Sequence, residues 1–372
     1  MTSLRRIWLR AHLWLGLGLG LWFVLVGVTG SLLVFYPQID RALVPAQRVS
    51  ADCHVPASLE AAYTILRRIE PARTGPWRFE LPQHAGLPLV ARYYQPGEKM
   101  GRHFAPLLVT LDPCSLERTT SRFWGETTMT WLYDLHYQLL LDGTGMKIVG
   151  IGGVMLLLSM GSGIVLWWPR NGRWRAALQA RLRKGAARLT WDLHTRAGVY
   201  GAPVLLVLVA TGVMLALPDT VNPVIARFSP LQPSLKPRPP HPVADEARNV
   251  TLDGALQAAE AQLPRSRASW IETPDGPEGS YRVRLWVTAE PSRRFPHNYA
   301  WIDPGSGAVL ATQDIRDRGA GDSLLAWLHP LHNGEALGLL GQWIVALAGL
   351  LPLLLAITGT LRWRQKVRAR RR

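Results

Sequence analysis

Two stretches of this 372-residue chain share one arrangement of tryptophan, leucine and histidine. Thr130–Gly145 reads TWLYDLHYQLLLDGTG and Ala326–Trp343 reads AWLHPLHNGEALGLLGQW, so Trp131-Leu132 falls on Trp327-Leu328 and Leu135-His136 on Leu331-His332. A second pair repeats likewise. WLRAHLWLG (Trp8–Gly16) resembles WDLHTRAG (Trp191–Gly198); setting His12 on His194 also sets Gly16 on Gly198, Thr29 on Thr211 and Gly30 on Gly212 without a gap. Four of the ten histidines therefore hold repeat-equivalent positions beside apolar runs.

Imidazoles paired across a helical bundle are metal ligands, and heme iron suits them best. The macrocycle supplies four equatorial nitrogens, so the protein need add only the axial pair. Zinc would want three or four protein ligands, and no carboxylate or cysteine accompanies these histidines. No Cys-x-x-Cys-His is present, which excludes covalent c-type attachment. The expectation is two heme b groups, one held by His12 and His194, the other by His136 and His332. His329 complicates the last position, because the first repeat has Tyr133 in its place. Either His329 replaces His332 as ligand or it sits beside an incoming substrate; repeat equivalence favours His332. The backbone carbonyls before Gly334 are candidate acceptors for either ring. A lone histidine beside tryptophan at a membrane boundary would be ordinary interfacial composition; four at equivalent sites are not. Gly16, Gly18, Gly20, Gly27 and Gly30, with Gly198, Gly201, Ala202 and Gly212, leave room for a flat group, though they would equally serve helix packing. His54, His84, His103, His241 and His297 fall on polar segments and read as solvated surface.

The elements that must position these histidines are four apolar segments, roughly 13–36, 148–168, 199–217 and 337–361. Each is close to the ~20 residues that span a hydrocarbon core, and none has Asp, Glu, Lys or Arg in its interior. The first follows Arg5, Arg6 and Arg10 but is longer than a signal-peptide core and lacks a clear cleavage site, so an uncleaved span is expected. The N-terminus, the loop 170–196 and the tail from Arg362 together hold 18 Lys and Arg against one acidic residue, Asp192. The rest of the chain is close to neutral. That asymmetry places both termini in the cytoplasm and removes nucleic-acid binding as the meaning of the +16 net charge. His12 and His194 then lie at the cytoplasmic end of their spans, His136 and His332 at the outer end.

The resulting division is 1–36 (first span), 37–145 (outer module), 146–168 (second span), 169–197 (basic loop), 198–217 (third span), 218–336 (second outer module) and 337–372 (fourth span and tail). SLEAAYTILRRIE and TLDGALQAAEAQL read as amphipathic helices with Ser58 and Thr251 as N-caps. LPLVARYY and YRVRLWV read as strands, and LVTLDPCSLE and YAWIDPGSGAVL as strands entering Asp-Pro turns. Ser229–Pro242 is proline-rich and expected to be extended. Each half has an even number of spans, so the repeats are parallel, related by an axis along the membrane normal. The expected fold is an α-helical membrane protein: a four-transmembrane-helix bundle built from two parallel repeats, with two small α+β modules outside the membrane. Cys53 and Cys114, the only cysteines, both lie in the first module, where they either form one disulfide or remain free thiols.

The stretches LHYQLLLDGTG, SMGSGIVLWWPR, WDLHTRAGVYGAPVLLVLVATGVML and LHNGEALGLLGQWIVALAGLLPLLLAITG resemble the PepSY-associated transmembrane-helix proteins over nearly the whole chain. Within that family the arrangement is most similar to FoxB-type ferrisiderophore reductases. The resemblance implies a diheme enzyme of the bacterial inner membrane with periplasmic PepSY-like modules, its axial ligands carried over to His12, His136, His194 and His332. It implies partners of three kinds: a ferric siderophore, with hydroxamates expected; an external electron donor; and membrane lipid. Two readings compete. A membrane-tethered protease regulator would explain PepSY-like modules but leave the histidines idle. A siderophore permease would want ionisable residues at mid-membrane, and the spans have none.

Overall fold

The computed structural model describes residues 3–371 apart from 48, 50–52, 54, 85, 170, 171, 173, 180–184 and 289. It comprises two compact units. His54 lies outside the described residues.

The first unit is formed by residues 1–36, 132–221 and 328–372. Among the described residues, four helices in it are long and apolar enough to cross a membrane: Leu4–Leu33, Asp142–Trp167, Ala186–Ala216 and Glu335–Arg371. The protein is a multi-pass membrane protein. Two helical stretches make the fourth span, Gly338–Ala348 and Leu351–Arg371. Each span packs on its two neighbours in a ring, so the first stands across the bundle from the third and the second from the fourth. Small residues allow a close crossing of the first and fourth spans: a Cβ on Gly27 would lie 2.4 Å from the Gly349 carbonyl oxygen, the near-backbone approach that glycine permits between membrane helices. Leu21, Leu158, Leu206 and Leu339 point outward and are exposed, as side chains solvated by lipid rather than water must be. The third helix begins at Ala186, well ahead of its apolar run. His194 therefore sits inside a continuous helix, as His12 does in Ser3–Leu33.

The second unit, residues 37–131 and 222–327, holds eight strands among the described residues: β1 Trp77–Glu80, β2 Leu89–Tyr93, β3 Leu107–Leu111, β4 Arg118–Phe123, β5 Ser266–Glu272, β6 Tyr281–Val287, β7 Asn298–Ile302 and β8 Val309–Gln313. They form one sheet in the order β4-β3-β2-β1-β5-β6-β7-β8, antiparallel at every pairing. The two modules legible in the sequence are thus halves of a single sheet, joined where β1 pairs β5 with Phe79 opposite Ile271. Each four-stranded half alone would expose an edge of unpaired N–H and C=O groups at that strand, and the join satisfies both edges at once.

Helices Leu59–Ile69 and Leu252–Gln262 share a core with one face of the sheet through Leu66, Phe79, Leu252, Ile271 and Val283. Ser58 and Thr251 cap them as expected, accepting from the backbone N–H of Ala61 and Gly254. The two helices also cap each other. Asp253 accepts from the backbone N–H groups of Leu59 and Glu60, and Glu60 accepts from that of Leu252, placing a carboxylate at each positive helix end. Cys53 and Cys114 are joined in a disulfide with Cα atoms 5.7 Å apart. Residues 230–239 carry no helix or strand.

Candidate functional site

The first unit brings the four repeat-related histidines together as two pairs. The rings of His12 and His194 have centroids 6.1 Å apart, and those of His136 and His332 are 6.2 Å apart. Between the two candidates near the fourth span, it is His332 that meets His136. His329 is half-buried one helical turn earlier.

Every one of these rings is held by the same device on a neighbouring span. His136 Nδ1 lies 3.0 Å from the Val26 carbonyl and 3.1 Å from Thr29 Oγ1. His332 Nδ1 lies 3.0 Å from the Leu208 carbonyl and 3.1 Å from Thr211 Oγ1. At the other end of the bundle, His12 Nδ1 meets the Ser159 carbonyl at 3.1 Å and Ser162 Oγ at 3.0 Å. His194 Nδ1 meets Thr358 Oγ1 at 3.0 Å. The acceptors are therefore on the facing helices, not among the carbonyls before Gly334.

A carbonyl oxygen can only accept, so Nδ1 must carry the proton and donate it. The hydroxyls already spend their own protons on their helices: Thr29 donates to Leu25, Thr211 to Val207, Thr358 to Leu354 and Ser162 to Ser159. Their oxygens are left to accept from imidazole. This fixes the tautomer in all four rings and leaves Nε2 as the lone-pair nitrogen, the arrangement by which an outer partner orients a metal-bound histidine.

The residue after each hydroxyl is glycine, and it makes room for the ring. A Cβ on Gly30 would lie 2.8 Å from His136 Cε1, and on Gly212 3.0 Å from His332 Cε1. On Gly163 it would lie 3.1 Å from His12 Cε1, and on Gly359 3.2 Å from His194 Cε1. The dipeptides Thr29-Gly30, Ser162-Gly163, Thr211-Gly212 and Thr358-Gly359 are thus four copies of one imidazole seat. Gly30 and Gly212 stand out in the sequence as small residues; Gly163, Gly359 and the hydroxyls' role do not. The signal was nonetheless there, since extending the His136–His332 alignment sets Ser162-Gly163 on Thr358-Gly359. The other glycines do other things. Gly201 packs against Leu351, while Gly16 and Gly18 have no neighbour within 4 Å of a Cβ position.

The donor set fits a metal that brings its remaining ligands with it. Two imidazoles sharing one metal from opposite sides, at a metal–nitrogen distance of about 2 Å, put their ring centroids about 6 Å apart. Both observed pairs match that spacing. Among the described residues no group of three or more His, Cys, Asp or Glu has metal-binding geometry, which suits an axial pair for a macrocycle and not a closed zinc site.

The remaining histidines stand apart. His84, His103 and His241 are exposed. His297 is half-buried, its Nδ1 3.5 Å from Glu290 Oε1, so it is not the free surface residue its segment suggested.

A membrane bundle carrying two imidazole pairs, in a chain that also builds an antiparallel α+β sheet unit, defines a class of multi-pass protein. The PepSY-associated TM region family pattern matches residues 9–366, and the chain belongs to that family. It is also similar to the uncharacterized protein PA4219 of Pseudomonas aeruginosa, with 27% identity over 234 residues that cover 59% of this chain and 57% of that protein. The chain thus matches little more than half the length of that relative.

Proposed function

We propose that this protein is a diheme b-type electron-transfer protein of the bacterial inner membrane that reduces ferric siderophores on the outer side and releases Fe(II), in the manner of FoxB-type ferrisiderophore reductases. One observation carries the reading: two repeat-equivalent imidazole pairs, each ring tied through Nδ1 with Nε2 left for coordination.

Heme, when bound, supplies one-electron Fe(III)/Fe(II) chemistry and four equatorial nitrogens. His136 and His332 would hold the outer group, His12 and His194 the inner one. The hydroxyl–glycine seats keep each ring in one tautomer and orientation, so that no rearrangement is needed when the iron changes charge. The apolar spans exclude water around both pairs. The basic N-terminus, loop and tail favour a cytoplasmic location for both termini, which puts the His12–His194 pair next to the electron source. That source is external: a cytoplasmic reductase, a reduced flavin or membrane quinol. At the outer side, one electron delivered to a ferric chelate gives Fe(II), whose bonds to hard oxygen donors are weaker, and the ion is released.

Absorption spectra of the protein purified in detergent from heme-replete cells test this. A Soret band, α/β bands that sharpen on reduction and two hemes per chain in a pyridine hemochrome assay are expected. A featureless spectrum sinks the proposal.

A further inference from the structure

The sheet face opposite the helices carries a built array of charge. Register places two cross-strand rows side by side: Arg78, Glu272, Arg282 and Trp301 in one, Glu80, Trp270, Arg284 and Tyr299 in the next. Glu272 is spent on two partners, Arg78 at 2.5 Å and Arg282 at 2.5 Å. Glu80 is spent on Arg92 of β2 at 2.6 Å. Arg284 has no carboxylate within ion-pair distance among the described residues. It donates to Tyr299 Oη at 2.9 Å and lies over the rings of Trp270 and Tyr299 at 4.8 and 4.9 Å. Four guanidiniums thus face two carboxylates.

The arginines are also pre-set. Arg78 lies 3.8 Å over the Trp270 ring and 4.7 Å from that of Tyr94, and Arg282 lies 5.3 Å from Trp270. Stacking of this kind fixes the guanidinium plane, and among the described residues Arg282 keeps a buried Nε with no hydrogen-bond partner. Arg78 and Arg282 line an open cleft of about 280 Å³ with Pro76, Trp77, Tyr94 and Glu272. Arg284 stands one register step behind. A guanidinium removed from water without a counter-charge is costly, and the arrangement is explained if the counter-charge arrives with a ligand.

We propose that this cleft is an anion-binding site, and that the chelates this protein takes are anionic oxygen chelates of the catecholate type. The proposal rests on the ferric-chelate reading and narrows it. An uncharged or cationic trihydroxamate, the class expected from resemblance, gives no use for the uncompensated Arg284.

The test is binding by the full-length protein in nanodiscs, using gallium(III) complexes. Gallium(III) matches ferric iron in charge and coordination but is not reduced, so binding is read without electron transfer. The trianionic gallium tris-catecholate should bind at least about tenfold more tightly than an uncharged gallium trihydroxamate, with affinity falling as salt rises. Arg284→Gln and Arg282→Gln should each weaken the catecholate complex about tenfold or more, while Arg284→Lys should keep most of the affinity. Arg282 is a third exposed, so its variant carries the test if Arg284→Gln fails to fold. Equal affinity for the two complexes, affinity indifferent to salt, or affinity unmoved by Arg282→Gln overturns the site. So does loss of charge selectivity when phosphatidylglycerol vesicles compete, which assigns the surface to lipid headgroups. Heme spectra of the same samples separate the two readings. Charge-selective binding with a featureless visible spectrum removes the redox function alone, and normal heme with no selectivity removes the anion site alone.

Discussion

His136 and His332, 196 positions apart in the sequence, meet with ring centroids 6.2 Å apart, and each is tied through Nδ1 to a threonine: Thr29 for the first, Thr211 for the second. The two threonines are themselves repeat-equivalent. Of the doublet His329/His332, it is the His332 ring that packs beside His136.

His332→Ala should abolish the low-spin spectrum of the outer heme or leave it five-coordinate and high-spin, with loss of ferric-chelate reduction. His329→Ala should retain the low-spin signal. Electron paramagnetic resonance of the two purified variants checks this, and the opposite pattern would reverse the assignment.

Gly212→Ala should displace the His332 ring, because the new Cβ would sit 3.0 Å from Cε1. Heme content is expected to fall from two to about one per chain. Gly18→Ala is the control, having no neighbour within 4 Å. It should leave heme content unchanged and, as a glycine replaced within a helix, favour the fold by up to about 1 kcal/mol. Hemochrome assays and thermal unfolding read both.

Thr211→Val keeps the Leu208 carbonyl as acceptor but removes the hydroxyl. A hydrogen bond accepted from Nδ1–H makes the imidazole a stronger donor to iron and favours Fe(III). Its loss should raise the midpoint potential of the outer heme by an amount on the order of tens of millivolts, with the inner heme unchanged. Redox titration followed by absorbance distinguishes the two hemes; a fall in the outer potential contradicts the prediction.

Tyr281 gives the sheet unit a pH dependence. It is fully buried, and burial above all pushes its phenol up to about 12; its hydroxyl donates to the Val250 carbonyl at 2.7 Å. The unfolded phenol ionises near its ordinary value of about 10, so the folded state holds its proton more tightly. Stability from this group is present in full below about pH 10 and is lost as pH rises toward about 12. Tyr281→Phe should flatten that part of the curve of unfolding temperature against pH.

Much of this protein is written locally. Spans follow from uninterrupted apolar runs, the two short helices from their caps at Ser58 and Thr251, and strands such as Tyr281–Val287 from period-two alternation. The repeat made His12, His136, His194 and His332 visible as a set, because aligned positions need no structure to compare. What tertiary structure decided are the long-range matters. His136 finds Thr29 across 107 positions and His332 finds Thr211 across 121, contacts that leave no periodicity in the residues between. The two halves fuse through β1 and β5 because each presents an unpaired edge, a fact of backbone hydrogen bonding that composition does not encode. Cys53 and Cys114 pair because the fold brings their Cα atoms to 5.7 Å, and register gives Glu272 to Arg78 and Arg282, which leaves Arg284 with no carboxylate at ion-pair distance among the described residues. Local sequence sets what each segment can be. Packing sets which groups meet, and the chemistry proposed here depends on those meetings.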